Sequence, residues 1–376
     1  MTNTRITHTK PTWLTLVLLS FVLLGHVSCK KEIVESPPPL PPTPPDSTFS
    51  PLDTMKAGVW YKIANASSSP TNSTSPIGHA LYFPVNEDNV LRSTDQYLSP
   101  SSGRRAGIQT STDGGFNYNS GWKPGSKFYK FFDVNNDTLA FVVFDEYHYS
   151  RTYFSTDGGL NYNGGYSHDD NGPTLVDNTT KAIDVTSTGK CYFITETEDF
   201  GYFLGRFDGN SKSKLFADTL SSEASYTLSV VNGSTLFFTR QNTDSAAFYR
   251  STDGGQSFEA LNLPTTRQVY GLLFFNTTEG ILTADYGELY HTTDAGSTWT
   301  KLPFPSSLSL SKLVQQNGKY FILTGDGQIY ESSDGLSWTF FDQPPVNGIR
   351  HFHYFGTTEK GMIGTDHGLY RKHDGN

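Results

Sequence analysis

Cysteine is nearly absent: Cys29 and Cys191 are the only two in 376 residues. A fold stapled by several disulfides is therefore excluded. Cys191 lies in the apolar run Cys191-Tyr192-Phe193-Ile194 and reads as a small core residue rather than a nucleophile. Charge is also sparse, at 17% of residues, and unbalanced, with 28 Lys and Arg against 37 Asp and Glu. The net charge of −9 and the lack of any basic stripe argue against nucleic acid as a partner. No Gly-x-Ser-x-Gly, His-Glu-x-x-His or phosphate-cradling glycine loop occurs, so those catalytic classes lack their signatures. What is plentiful is 35 Gly, 21 Tyr and 27 Phe, the composition of an aromatic-rich, well-folded β protein.

The one long apolar run, residues 13–24, follows Arg5 and Lys10 and precedes small residues and Cys29. It is too short for a permanent membrane helix and reads as a secretory signal peptide over residues 1–28. Val27-Ser28-Cys29 resembles the end of a bacterial lipobox, with His26 where that pattern usually carries Leu. The resemblance implies that Cys29 is acylated and becomes the new N-terminus. The expected location is then the cell envelope, as an outer-membrane lipoprotein held to the membrane through Cys29. Residues 29–56 form a linker, with Pro at 37–39, 41, 42, 44 and 45. Such a segment buries no core and acts as a stiff polyproline spacer.

From residue 57 onward one short sequence keeps returning. It reads Ser111-Thr112-Asp113-Gly114-Gly115, Ser155-Thr156-Asp157-Gly158-Gly159, Ser251-Thr252-Asp253-Gly254-Gly255, Thr292-Thr293-Asp294-Ala295-Gly296 and a shorter Ser332-Ser333-Asp334-Gly335. Each is followed by an aromatic residue, as at Tyr118, Tyr162, Phe258, Trp299 and Trp338. Worn copies surround Asp208 and Asp374, and successive aspartates are 44, 51, 45, 41, 40 and 40 residues apart. A carboxylate accepting backbone N–H groups, a hydroxyl beside it and a glycine at positive φ together specify a tight hairpin turn. The following aromatic packs between neighbouring sheets. An interval of 40–50 residues holds four short strands, one blade of a propeller. First strands are expected at 127–134, 181–186, 226–231, 269–275, 310–315 and 349–355.

These repeats resemble the Asp-box, or BNR repeat, of sialidases, sortilin-type receptors, xyloglucanases and photosystem II assembly factors. The expected fold is all-β: a seven-bladed β-propeller over residues 57–376 with Asp-box hairpins. The last copy stops at Asn376 without a fourth strand, whereas residues 58–63 look like a post-turn strand with no turn before it. The N-terminal strand is therefore expected to complete the last blade and remove an exposed edge.

Candidate chemistry divides into three groups. The aspartates Asp113, Asp157, Asp208, Asp253, Asp294, Asp334 and Asp374 read as structural turn-formers, because in resembling families these turns lie away from the substrate face. Residues 133–137 carry Asp and Asn like the start of a calcium loop but lack its glycine and distal Glu, so no metal site and no cofactor is expected. The Phe/Tyr-Arg-Ile-Pro motif of resembling sialidases is missing, and the repeated Arg92, Arg250 and Arg371 are better explained by blade geometry. No catalytic residue is assigned. Possible ligand contacts are Tyr147, His148 and Tyr149 after a second strand, and Arg350, His351 and His353 on an innermost strand, with sheet packing as the other reading. The function expected is a non-catalytic cell-envelope binding or assembly module for a protein or glycan. The alternative is an exo-acting glycoside hydrolase of sialidase or xyloglucanase type.

Overall fold

The computed structural model describes residues 58–65, 82–84, 87–99, 103–116, 118, 127–133, 139–144, 150–155, 163–164, 181–186, 188, 190–197, 201–208, 211–216, 224–242, 245–346, 348–355, 360–365 and 368–373. The expected signal segment, Cys29, the expected Pro-rich linker, Asp157, Asp374 and the Tyr147–His148–Tyr149 group lie outside these residues, as do residues 134–138 of the Asp/Asn-rich segment that starts at Asp133.

The repeat period appears as seven antiparallel sheets among the described residues. In chain order, sheet 1 comprises Tyr82–Pro84, Val90–Ser99 and Gly103–Ser111, and sheet 2 Lys127–Asp133, Leu139–Phe144, Ser150–Ser155 and Asn163–Gly164. Sheet 3 contains Ala182–Val185, Cys191–Thr197, Gly201–Asp208 and Ser211–Phe216. Sheet 4 contains Ser225–Val230, Leu236–Gln241, Ala246–Ser251 and Glu259–Leu261. Sheet 5 is built from Val269–Phe274, Gly280–Ala284, Leu289–Thr292 and Thr300–Leu302, and sheet 6 from Leu310–Gln316, Lys319–Thr324, Ile329–Ser332 and Thr339–Asp342. Sheet 7 takes Ile349–Tyr354, Gly361–Thr365 and Gly368–Lys372 from the end of the chain. Its fourth strand is Trp60–Asn65, from near the start, which pairs antiparallel with Gly368–Lys372. Closure by strands from both ends follows the expectation, with the strand lying two residues later than 58–63.

Burial follows position within each sheet. Second strands are apolar on both faces because both are covered, and Gly280–Ala284 and Gly361–Thr365 are buried throughout. Fourth strands such as Glu259–Leu261 are short, charged and open to solvent. Turns between first and second strands use side-chain amides: the Asn232 carbonyl oxygen accepts from the N–H groups of Ser234 and Thr235, both at 2.8 Å. Asn317 and Gly318, at φ 50° and 73°, form the two-residue primed turn in sheet 6.

Aromatic rings fill the spaces between sheets. Phe248 of sheet 4 meets Trp299 of sheet 5 edge-on at 5.6 Å, and Phe216 of sheet 3 meets Phe258 of sheet 4 at 5.1 Å. Each such pair contributes ~0.5–1.5 kcal/mol beyond its area burial. Polar side chains fasten neighbouring first strands. The Val230 N–H donates to Asp184 at 2.6 Å, the Phe274 N–H to the Ser229 hydroxyl at 3.0 Å, and the Gln316 amide donates to the Phe352 carbonyl at 2.6 Å. First strands adjoin from sheet 2 through sheet 6, and the Gln316 bond to Phe352 joins those of sheets 6 and 7. Sheet 1 lies against the first strand of sheet 2, and its own opening strand lies against sheet 7, so the succession returns on itself.

Candidate functional site

The repeated aspartates are occupied within their own turns. In sheet 4 the Ser251 hydroxyl donates to the Asp253 carboxylate at 2.8 Å and accepts from the Gly255 N–H at 2.8 Å. The same carboxylate accepts from the Gln256 and Ser257 N–H groups at 2.9 and 3.0 Å, and from the Ser257 hydroxyl at 2.5 Å. These bonds, the Ser257 hydroxyl first, hold the Asp253 carboxyl down at about 2. Backbone N–H groups of Ser337 and Leu336 do the same for Asp334, also about 2. Asp294 is lowered chiefly by Thr298, and Asp113 accepts from the Ser111 hydroxyl at 2.7 Å and the Phe116 N–H at 3.1 Å. Asp208 ends its strand opposite Ser211.

The turns of sheets 1, 4, 5 and 6 also dock on the sheet before them. Gly255 has φ 88°, and a β-carbon there would lie 2.6 Å from Leu215 of sheet 3; Gly296, at φ 82°, faces the Phe248 ring in the same way. Glycine is required twice over, by the backbone and by the neighbour. An arginine on the third strand of the preceding sheet then reaches across. Arg206 donates to the Gly254 carbonyl at 3.2 Å, Arg250 to the Ala295 carbonyl at 3.2 Å, and Arg371 to the Glu87 carbonyl at 2.9 Å and the Gly114 carbonyl at 3.4 Å. These arginines serve the blade contacts. They do not converge on a ligand.

The turn N–H groups bond back to the first-to-second-strand turn of the same sheet, as Gly254 to Ser234 at 2.7 Å and Ala295 to Thr278 at 2.7 Å. The aspartate turns among the described residues thus sit at one end of the strands. At the other end, loops between second and third strands meet the links between sheets, as in Asp285 N–H to the Gln268 carbonyl at 3.0 Å and Gly325 N–H to the Ser309 carbonyl at 2.9 Å.

That second face carries side chains the sequence reading did not single out. The first strands of sheets 5, 6 and 7 each skip one residue in pairing at the same place: Tyr270, Ser311 and Arg350. A bulge of this kind re-aims a side chain, and all three are exposed. Arg350, expected as a ligand contact, therefore faces solvent. His351 and His353 do not: both are buried, the first against Phe83 of sheet 1 at 4.6 Å between ring centroids, the second against Phe355 at 5.2 Å.

Around Tyr270 lies a compact ledge. Its hydroxyl lies near the Asp285 carboxylate, and burial together with that charge raises the Tyr270 pKa. Asp285 also accepts from the Ser309 hydroxyl at 2.5 Å. The next residue, Tyr286, has φ 59° and ψ 34°, a left-handed conformation rare for a bulky side chain, yet it is 65% exposed. The Arg267 guanidinium stands over its ring at 4.5 Å. Leu308, also exposed, follows the Ser306–Ser307 backbone that meets Gly287. Beside it, burial opposes ionisation of Glu288, but hydrogen bonds from Thr265, Lys301 and Tyr290 outweigh that and lower its pKa. The sequence signal was the aromatic in Asp285-Tyr286-Gly287-Glu288, where the equivalent loop of sheet 6 reads Gly325-Asp326-Gly327-Gln328. Read alone, it is an ordinary turn.

No residue group with metal-ligand geometry occurs among the described residues. Comparison with known proteins places this architecture among β-propellers. Residues 284–367 match the family model described as the DUF6242 beta propeller domain. No curated protein is significantly similar in sequence. Among solved structures, "YCF48 bound to D1 peptide" aligns over 90% of this chain and 99% of its own, at 15% identity and a TM-score of 0.51. YCF48 from Cyanidioschyzon merolae aligns over 84% and 99%, at 15% identity and a TM-score of 0.47. The GH74 xyloglucanase from Xanthomonas campestris aligns over 83% and 53%, at 13% identity and a TM-score of 0.47. At such identities the likeness is one of fold.

Proposed function

We propose that the chain is a non-catalytic binding or assembly module, a closed seven-bladed ring with Asp-box turns, that engages a protein partner on the face opposite those turns. The observation that carries the reading is the ledge of Tyr270, Tyr286 and Arg267: rigidly held aromatic and cationic groups left open to solvent on that face. Tyr and Arg are the residue types that dominate binding energy at protein interfaces. The engagement of Asp113, Asp253, Asp294 and Asp334 within their own turns takes those carboxylates out of consideration as acids or bases. The solved structure of YCF48 bound to D1 peptide supports a polypeptide rather than a glycan as partner. The proposal includes acylation at Cys29 and an envelope location, with residues 29–56 as spacer.

Two parallel screens of the full chain test it: a displayed library of random 12-residue peptides, and a glycan array with xyloglucan and a fluorogenic sialoside added. The expected result is enrichment of peptides with no hydrolysis. Glycan binding without peptide enrichment, or turnover of either sugar substrate, would overturn the reading.

A further inference from the structure

Tyr286 contradicts what stability alone would select. A left-handed backbone at a non-glycine residue is strained, and burial does not offset the strain, since most of the ring is in water. The position is nevertheless over-determined. Asp285 is fixed by the Ser309 hydroxyl and by its own N–H bond to the Gln268 carbonyl. Gly287, at φ 70°, is pressed against the Ser306 carbonyl, where no β-carbon fits. A strained, exposed and rigidly mounted aromatic is arranged for a contact outside the chain.

The character of that contact follows from Arg267. Its backbone is tied down, with the N–H donating to the Thr265 hydroxyl at 3.0 Å and the carbonyl accepting from the Gln241 amide at 2.5 Å. Its exposed guanidinium lies over the Tyr286 ring, and among the described residues it forms no ion pair. A guanidinium stacked in this way keeps its edge N–H groups for a planar, bidentate acceptor, and a carboxylate is the one a protein supplies. The nearby acidic groups are committed elsewhere: Asp285 to Ser309, Glu288 to Thr265, Tyr290 and Lys301. Neither competes for Arg267. Beneath the cation the Tyr286 ring offers apolar surface, and Tyr270 and Leu308 are exposed in the neighbouring segments.

Resting on the binding role proposed above, we infer that this ledge docks an extended peptide segment in which an acidic side chain, paired with Arg267, stands beside an apolar or aromatic one seated on Tyr270 and Tyr286. The chain is acidic overall, so the attraction is local to the ledge.

The test uses peptides selected from the 12-residue library on the full wild-type chain. They are expected to share Asp or Glu next to an aliphatic or aromatic residue. Tyr286→Gly, which relieves the backbone and so keeps the fold, should weaken their binding tenfold or more, as should Arg267→Gln. Phe340→Ser, at an exposed aromatic on an outer strand, should leave binding unchanged. Replacing the peptide acid by its amide should weaken binding to the wild type but not to Arg267→Gln, because the two changes remove one interaction. Selected peptides without an acid, or equal binding by wild type and Tyr286→Gly, would overturn the inference while leaving the binding role intact. A library that yields no binders at all would remove both.

Discussion

Replacement of Gly296 by Ala tests how the repeated turns build the ring. The methyl group would lie 2.8 Å from Cζ and 3.1 Å from Cδ1 of Phe248, and nearer still to Cε1. Phe248 cannot yield: it is fully buried, stacked on Phe237 at 5.8 Å and edge-on to Trp299 at 5.6 Å. The positive φ adds about 1 kcal/mol for a residue with a β-carbon, and overpacking a filled core adds ~1–3 kcal/mol. The expected destabilisation is therefore roughly 2–4 kcal/mol, read as a lower denaturant midpoint with an unchanged slope. Phe248→Leu, on its own destabilising by about 1–2 kcal/mol, makes room for the methyl. The double variant should be more stable than the sum of the single changes by at least ~1 kcal/mol. A single-variant effect below ~0.5 kcal/mol, or strict additivity, would refute the idea that each turn is seated on the preceding sheet.

Three further outcomes are expected. Arg371→Met, which cuts the cross-link from sheet 7 to the Glu87 and Gly114 carbonyls of sheet 1, should destabilise by roughly 2–3 kcal/mol in chemical denaturation, and by more than Arg250→Met, whose arginine is more exposed. Burial lifts Asp184 to about 7 against the pull of two backbone N–H bonds, so the folded protein holds this proton where the unfolded chain has lost it. Its contribution to stability must then fall as pH rises from about 4 to about 7. The stability difference between wild type and Asp184→Asn should shift across that window by up to about 4 kcal/mol, and a flat difference would contradict it. Radiolabelled palmitate should enter the wild type and not Cys29→Ala, and equal labelling would contradict lipidation.

The parts of the fold legible in the sequence were those written once per blade. Ser251 to Gly255 and its equivalents gave the turn chemistry, because hydroxyl, carboxylate and glycine each have one geometric use there. First strands fell within a residue or two of expectation, as 226–231 against Ser225–Val230. Closure was legible because a strand-like segment near Trp60 had no repeat before it, and that segment pairs with Gly368–Lys372. What was hidden depends on single departures from the repeat. Alternation along residues 349–355 could not separate exposed from packed positions, since a first strand is enclosed on both faces and a bulge shifts the register at Arg350. Hence His351 is buried while Arg350 is open. Tyr286 was invisible for a related reason: its importance lies in a φ of 59° and in Arg267 above its ring, neither of which local sequence encodes.

Photo-crosslinking reads the proposed binding face directly. Library-selected peptides carrying a benzophenone are irradiated with the full chain, and the attachment sites are mapped by mass spectrometry. The account predicts attachment within residues 265–270, 285–288 and 306–311. Attachment concentrated in the aspartate turns at 111–118, 251–258 and 292–299 would contradict it.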